Sequence, residues 1–192
     1  MGRNAATILS SNFEYRLQRF VEENVVSKYK EKIGKTVAGT VTRIDKQDNT
    51  FIEIGEVKGI LQRKSRIKGE VFKVGDVVKA VVKGVNIDKI NGLLIDISRT
   101  SPKFLENLLA LEVPELRDKK VMIEASARIP GSRSKIALST IEPQIDPIGA
   151  VVGVKGVRIG SVSKQLNGEN IDCVEYSTIP EMFISRDRKS VV

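Results

Sequence analysis

The chain has no histidine, no tryptophan and a single cysteine, Cys173. Without histidine, imidazole acid–base chemistry, Ser-His-Asp triads and histidine-ligated metals are excluded. One cysteine excludes an internal disulfide and any multi-cysteine zinc site. No metal or cofactor is implied. Cys173 lies in the apolar stretch Ile171–Val174, where it reads as a small buried hydrophobe rather than a nucleophile. Aromatic residues make up 5% of the chain, too few for an extended base-stacking platform. No apolar run approaches the roughly 18–20 residues of a membrane span. Met1–Asn4 lacks the apolar core of a signal peptide, so a cytoplasmic protein without a membrane partner is expected. Carboxylate pairs such as Glu112 and Glu115 lie in a turn-rich loop with no nucleophile–base arrangement beside them. The chain is therefore read as a non-enzyme without a small-molecule substrate.

What is present is positive charge. The 192 residues carry 32 basic and 24 acidic side chains, a net charge of +8. The excess is densest over residues 35–100, with 13 basic and 8 acidic groups. A basic middle favours a polyanionic partner through phosphate neutralisation and counterion release.

Ser11 and Glu14 form a capping box, and Phe13, Leu17, Phe20 and Val21 recur at helical spacing. One amphipathic helix over 12–32, ending before Gly34, is predicted. Its apolar face packs on a neighbour or on something this chain lacks. Residues 35–99 read as five short strands with glycine punctuation: Thr36–Ile44, Thr50–Ile54, Val57–Leu61, Val77–Val85 and Leu93–Ser98. That set fits a small closed barrel of OB type. The long gap between the third and fourth strands holds Arg63, Lys64 and Arg66, and suits a phosphate-contacting wall. In Thr50–Ile54, Ile52 and Ile54 share one face, which puts Phe51 and Glu53 on the other. With the isoleucines in the core, Phe51 is exposed where such barrels stack bases. The alternative is that it packs under the N-terminal helix or against the unit that follows.

Ser101-Pro102 starts a short helix that Pro114 stops. Val121–Arg128 alternates, with Val121, Ile123, Ala125 and Ala127 on one side and Glu124, Ser126 and Arg128 on the other. Pro130-Gly131 suits a tight turn into a strand over Ser134–Ser139. Asp146-Pro147 opens a short helix, Gly153–Gly156 is a Gly-x-x-Gly turn carrying Lys155, and a second helix runs to Asn167-Gly168. A last strand covers Asn170–Tyr176. A Gly-x-x-Gly loop that clamps four backbone nucleotides is the working part of a KH domain. Glycines allow close approach to a sugar-phosphate backbone, Lys155 supplies a point charge, and the following helix start supplies N–H donors. Gly-x-x-Gly is also how ordinary helix–turn–helix joints are made. The other phosphate motifs, G-x-x-x-x-G-K-[ST] and G-x-G-x-x-G, do not match.

The order helix, strand, strand, helix, Gly-x-x-Gly, helix, strand is the type II arrangement of a KH domain. A barrel followed directly by such a unit resembles the NusA family of bacterial transcription factors. The wording agrees as well as the order, in Glu112–Glu115, Ala127–Ala137, Ile145–Ile159 and Leu166–Asp172. The resemblance implies a multidomain α+β fold with four parts. An N-terminal helix over 1–34 is a remnant of, or linker from, a polymerase-binding domain. An S-one OB barrel spans 35–100, a type II KH domain spans 101–186, and a tail spans 187–192. It implies an elongation factor acting in pausing, termination and antitermination, with single-stranded nascent RNA and RNA polymerase as partners. Family members carry a fuller polymerase-binding domain and a second KH domain. A central fragment is therefore expected, with polymerase binding weakened or lost.

The expected RNA contacts are Gly153, Val154, Lys155 and Gly156 against the backbone, and Arg158 in the first turn of the next helix. Arg128, Arg133 and Lys135 are candidates for phosphate or base-edge contacts, against the alternative of a solvated face. Two other readings remain: a protein-docking scaffold on RNA polymerase, and a cap subunit of an RNA-degrading complex. The cap subunit also joins an S-one barrel to a KH unit, of the other topology.

Overall fold

The computed structural model describes residues 23–88 and 92–177, together with Phe13, Arg16 and Phe20. Ser11 and Glu14 lie outside the described residues. Helix α1 (residues 23–30) ends in a turn at 31–34, where Gly34 takes a φ of 81° and donates its N–H to Val82 O. Tyr29 buries its ring in the barrel core and donates its hydroxyl to Ile54 O at 3.1 Å. Val25 packs beside it. The end of the helix near Tyr29 thus packs on the barrel, while Phe13 and Phe20 on its apolar face stay exposed, 67% and 62%.

Five strands close the barrel in the order β1-β2-β3-β5-β4: β1 (Thr36–Ile44), β2 (Thr50–Ile54), β3 (Val57–Leu61), β4 (Val77–Asp88) and β5 (Gly92–Ser98). β3 and β5 run parallel, and the other neighbours are antiparallel. This is the OB arrangement the strand spacing predicts. Asp45 organises the β1–β2 turn. Its carboxylate accepts from Gln47 N, Asn49 N and Asn49 Nδ2, and the two Asn49 bonds hold its pKa below the usual carboxylate range. Gly39 lets the strands close, since a Cβ there would lie 2.4 Å from Glu53 O.

The second unit is a three-stranded sheet, β6 (Val121–Ile129), β7 (Arg133–Thr140) and β8 (Asn170–Glu175), with β7 in the middle. One face carries α2 (Pro102–Glu112), α3 (Pro114–Arg117), α4 (Pro147–Val152) and α5 (Val157–Gln165). The order α-β-β-α-α-β is type II. Pro114 does more than stop α2, because it is also the first residue of the one-turn α3. Asp146 caps α4, accepting from Ile148 N at 3.0 Å. Gly149 leaves room for that carboxylate, as a Cβ would meet Asp146 Oδ2 at 2.5 Å.

The alternation expected in β6 breaks at Glu124. Ile123 faces Leu138 and Ala125 faces Ala137, so Glu124 is an extra residue in the strand. A bulge shifts every later side chain to the other face. Ser126 and Arg128 therefore point inward, and Ala125, Ala127 and Ile129 point outward.

The two units share a core. Ile67, from the loop after β3, and Val81 of β4 are packed with Phe104, Leu105, Leu108 and Val162. Gly131 makes the seam possible: a Cβ there would lie 2.5 Å from Ile67 Cγ2.

Candidate nucleic-acid interface

The Gly-x-x-Gly loop projects from the helical face of the second unit. Gly153 has φ 74° and ψ 172°, Lys155 has φ 53°, and Gly156 has φ 73°. The first combination is open essentially to glycine alone. Val154 is 83% exposed, and Lys155 is also exposed. No side chain caps the first turn of α5. A projecting cation, an exposed aliphatic and an uncapped helix start thus stand together.

Arg158 has a different place from the one expected. Its Nη1 donates to Ala150 O at 2.7 Å and to Glu115 Oε2 at 3.0 Å. Its stem crosses Gly153, where a Cβ would come within 2.8 Å of Arg158 Cγ. Arg158 therefore ties α3, α4 and the loop together. The Glu115 pKa is held below its ordinary value chiefly by a backbone N–H, with burial opposing and Arg158 assisting.

Arg128 is a correction. Its side chain is 0% exposed, as is that of Glu169. Nε and Nη2 donate to the Glu169 carboxylate at 2.8 and 2.9 Å, while Nη1 donates to Arg99 O and Ser101 O, each at 2.8 Å. Glu169 also accepts from Gly131 N at 2.9 Å and from Ser134 Oγ. Burial pushes this carboxyl up, but the bonds from Arg128, Ser134 and Gly131 prevail and hold it below its usual value. Arg128 is an internal clasp without access to RNA, because the Glu124 bulge turned it inward.

Arg133 and Lys135 lie on the outer face of the sheet, opposite the helices. Arg133 pairs with Asp172 of β8. Lys135 borders a shallow trough with Ala125, Ala127, Ala137 and Val174. The sheet separates both from the Gly-x-x-Gly loop, so the structure does not gather these cations with Lys155.

In the barrel, Phe51 faces outward but is buried, a second correction. A bulge at Thr42 brings Arg43 opposite Phe51, and its guanidinium covers the ring at 4.2 Å from the centroid. The ring is not an open platform. It lines a cleft of about 430 Å³ with Thr42, Glu53 and Lys58. Arg66 pairs with Asp48 and is largely covered. Arg63 and Lys64 remain exposed in a single turn of 3₁₀ helix. Ile67, further along that loop, is buried in the second unit's core, while Lys68 and Lys73 stay exposed.

Sequence reasoning missed a second clasp. Arg99 is bonded in two-pronged fashion to Glu70, with Nη2–Oε1 at 2.6 Å and Nε donating at 3.0 Å. It also donates to Lys79 O and, at 2.8 Å, to Gln165 O of the second unit. Asn167 Nδ2 adds a long contact, 3.5 Å, to Lys68 O. Only the shortness of Arg99-Thr100-Ser101 hinted that the units are tightly joined.

Residues 99–176 match the NusA-like first KH domain. The chain is 47% identical over 186 residues to the transcription termination/antitermination protein NusA of Helicobacter pylori, covering 96% of this chain and 47% of that one. It is 38% identical over 184 residues to the NusA protein of Thermus thermophilus, with the same coverages of 96% and 47%. Against that of Borreliella burgdorferi it is 38% identical over 168 residues, 88% of this chain and 34% of the relative. The chain thus spans about half the length, or less, of the curated relatives it matches.

Proposed function

This chain belongs to the NusA family, and from that premise we propose that it is an RNA-binding transcription factor acting in termination and antitermination. The substrate is single-stranded RNA, held by its sugar-phosphate backbone at Gly153–Gly156. The observation that carries this reading is the projecting loop, with Val154 and Lys155 directed to solvent before an uncapped helix start. Glycines at both ends let the backbone of an extended strand lie against the loop. Lys155 neutralises a phosphate, and the first-turn N–H groups of α5 face the same charge.

Within this proposal, residues 35–100 form the barrel module and 101–177 the described part of the KH module. Arg63 and Lys64 are secondary phosphate contacts, and Arg43 and Phe51 line a barrel subsite. Arg133 and Lys135 are peripheral, on the far face of the sheet. Arg158 is a positioning residue for the loop. RNA polymerase is the second partner, drawn from the role that the relatives' names state. The protein performs no chemistry on the RNA.

The test is fluorescence anisotropy with a labelled single-stranded RNA at two salt concentrations. The chain is compared with a Val154→Asp/Lys155→Asp double variant. Binding that weakens with salt and is largely lost in the variant, at unchanged thermal stability, fits the proposal. Equal binding by both proteins moves the RNA site to the barrel. No binding by either leaves protein docking as the function of this chain.

A further inference from the structure

A second cleft lies away from both the Gly-x-x-Gly loop and the Phe51 face. It is about 460 Å³, within the roughly 300–1,000 Å³ range of ligand sites. Its walls come from β1 and β4 of the barrel and from α2 and α3 of the second unit. Ala38, Ala110 and Leu111 make its floor, and Lys35, Lys79 and Arg117 stand around it. The register places Lys79 directly beside Ala38, and Val77 beside Thr40 one step along the same face. Leu111 and Val77 are 66% and 70% exposed, so unspent apolar surface runs from the cleft along the barrel.

The cations are not committed elsewhere. Among the described residues Lys35 and Lys79 have no ion-pair partner, and Arg117 has only its chain neighbour Asp118, at 3.8 Å. The amide nitrogen of Asn107, which also lines the cleft, donates internally to Gly34 O at 2.7 Å and Thr36 Oγ1 at 3.1 Å. We infer that this cleft is a docking site for an acidic amphipathic protein segment. Such a segment lays an aliphatic side chain on Ala38, Ala110 and Leu111 and sets carboxylates against Lys35, Lys79 and Arg117.

Two features favour a peptide over a nucleic acid here. The floor is aliphatic and has no aromatic ring, whereas single-strand sites combine cations with rings on which bases stack. The one amide NH2 of the lining is already engaged by Gly34 O and Thr36 Oγ1, so it is not offered to a base edge. An apolar floor inside a ring of cations complements a helix with leucine-like anchors on one face and acidic neighbours. The inference does not depend on the RNA site, which lies elsewhere.

The test is fluorescence polarisation on the full chain with a labelled peptide of leucine and glutamate only, about fourteen residues long, its leucines on one helical face. A peptide of the same composition with scattered leucines is the control. Lys35→Glu/Lys79→Glu is expected to weaken the facial peptide about tenfold or more. Leu111→Ser, at an exposed position that folding tolerates, is expected to weaken it about threefold or more, because an interface anchor is lost. Both variants keep their thermal unfolding temperature and their affinity for labelled single-stranded RNA. The inference is overturned if the chain does not bind the facial peptide, if the scattered control binds as well, or if neither variant weakens binding. It is also overturned if RNA affinity falls as far as peptide affinity, which gives the cleft to RNA.

Discussion

Glu169 shows how a single side chain can govern a seam. It is fully buried, yet charged, and its oxygens serve Arg128, Gly131 and Ser134 at once. Removing one member of a buried pair costs about 3–5 kcal/mol, since the other charge stays behind unpaired. Arg128→Met or Glu169→Gln should therefore lower stability by about that amount in urea titrations. The Arg128→Met/Glu169→Met double change should not recover it, although apolar replacement of a buried pair is often neutral. Here Gly131 N, Ser134 Oγ, Arg99 O and Ser101 O would also lose their partner. The acid response follows from the same group. Its carboxyl is held below the ordinary 4.5, so the ionised form stabilises the fold above that pH, and this is lost as pH falls below it. Glu169→Gln should flatten the acid limb of stability against pH. It should not abolish it, because Asp45 and Glu115 are shifted in the same direction. None of this was legible in the sequence, where Glu169 is one carboxylate after a helix-ending glycine.

Cys173 is the residue-scale reading that composition supports most directly. Burial, assisted by the neighbouring Asp172, pushes its thiol up to about 12. The thiolate is the reactive form. Alkylation near neutral pH should be slow in the native protein and should accelerate to the free-thiol rate in denaturant. By accessible surface Cys173 is half-buried, not fully buried as the sequence suggests, and rapid labelling of folded protein, followed by mass spectrometry, would contradict its raised pKa.

At the scale of elements, the strands and helices were legible because period and punctuation agree with the fold. What the pattern hid were the bulges at Thr42 and Glu124. One extra residue inverts the faces of a strand, and no residue type in either segment announces it. Those two insertions account for the covered Phe51 and the buried Arg128. The Gly-x-x-Gly loop was legible to the residue, but the roles of its glycines differ. Gly153→Ala adopts a backbone region nearly closed to side chains and drives a Cβ into Arg158, for a cost of about 1–3 kcal/mol. Gly156→Ala needs only the left-handed region, and its nearest neighbour is Ile159 at 4.0 Å, so about 1 kcal/mol is expected. Denaturant midpoints should rank Gly153→Ala below Gly156→Ala. Binding of single-stranded RNA should fall in the same order, because only the first change dislodges the Arg158 clamp.

At the scale of the molecule, the sequence separates a barrel from a KH unit, and packing joins them. Ile67 and Val81 come from the barrel segment but are buried in the second unit's core. Arg99 spans the same seam, reaching Glu70 and Lys79 O on one side and Gln165 O on the other. A long-range side-chain seam leaves no local signature, so only the short connection at residues 99–101 was readable. The coupling has a thermodynamic consequence. Two units with a common core unfold together, and calorimetry should show one transition with matching calorimetric and van't Hoff enthalpies. Ile67→Ala deletes a fully buried side chain at the seam and should cost about 2–5 kcal/mol. It acts on both units at once, so it should lower the transition without splitting it while the Arg99–Glu70 clasp holds. Arg99→Ala removes that clasp and leaves Glu70 without its charge partner. Combining it with Ile67→Ala should separate the transition into two, and small-angle scattering should show the particle lengthening. Two transitions in the unaltered protein would mean that the shared core does not couple the units.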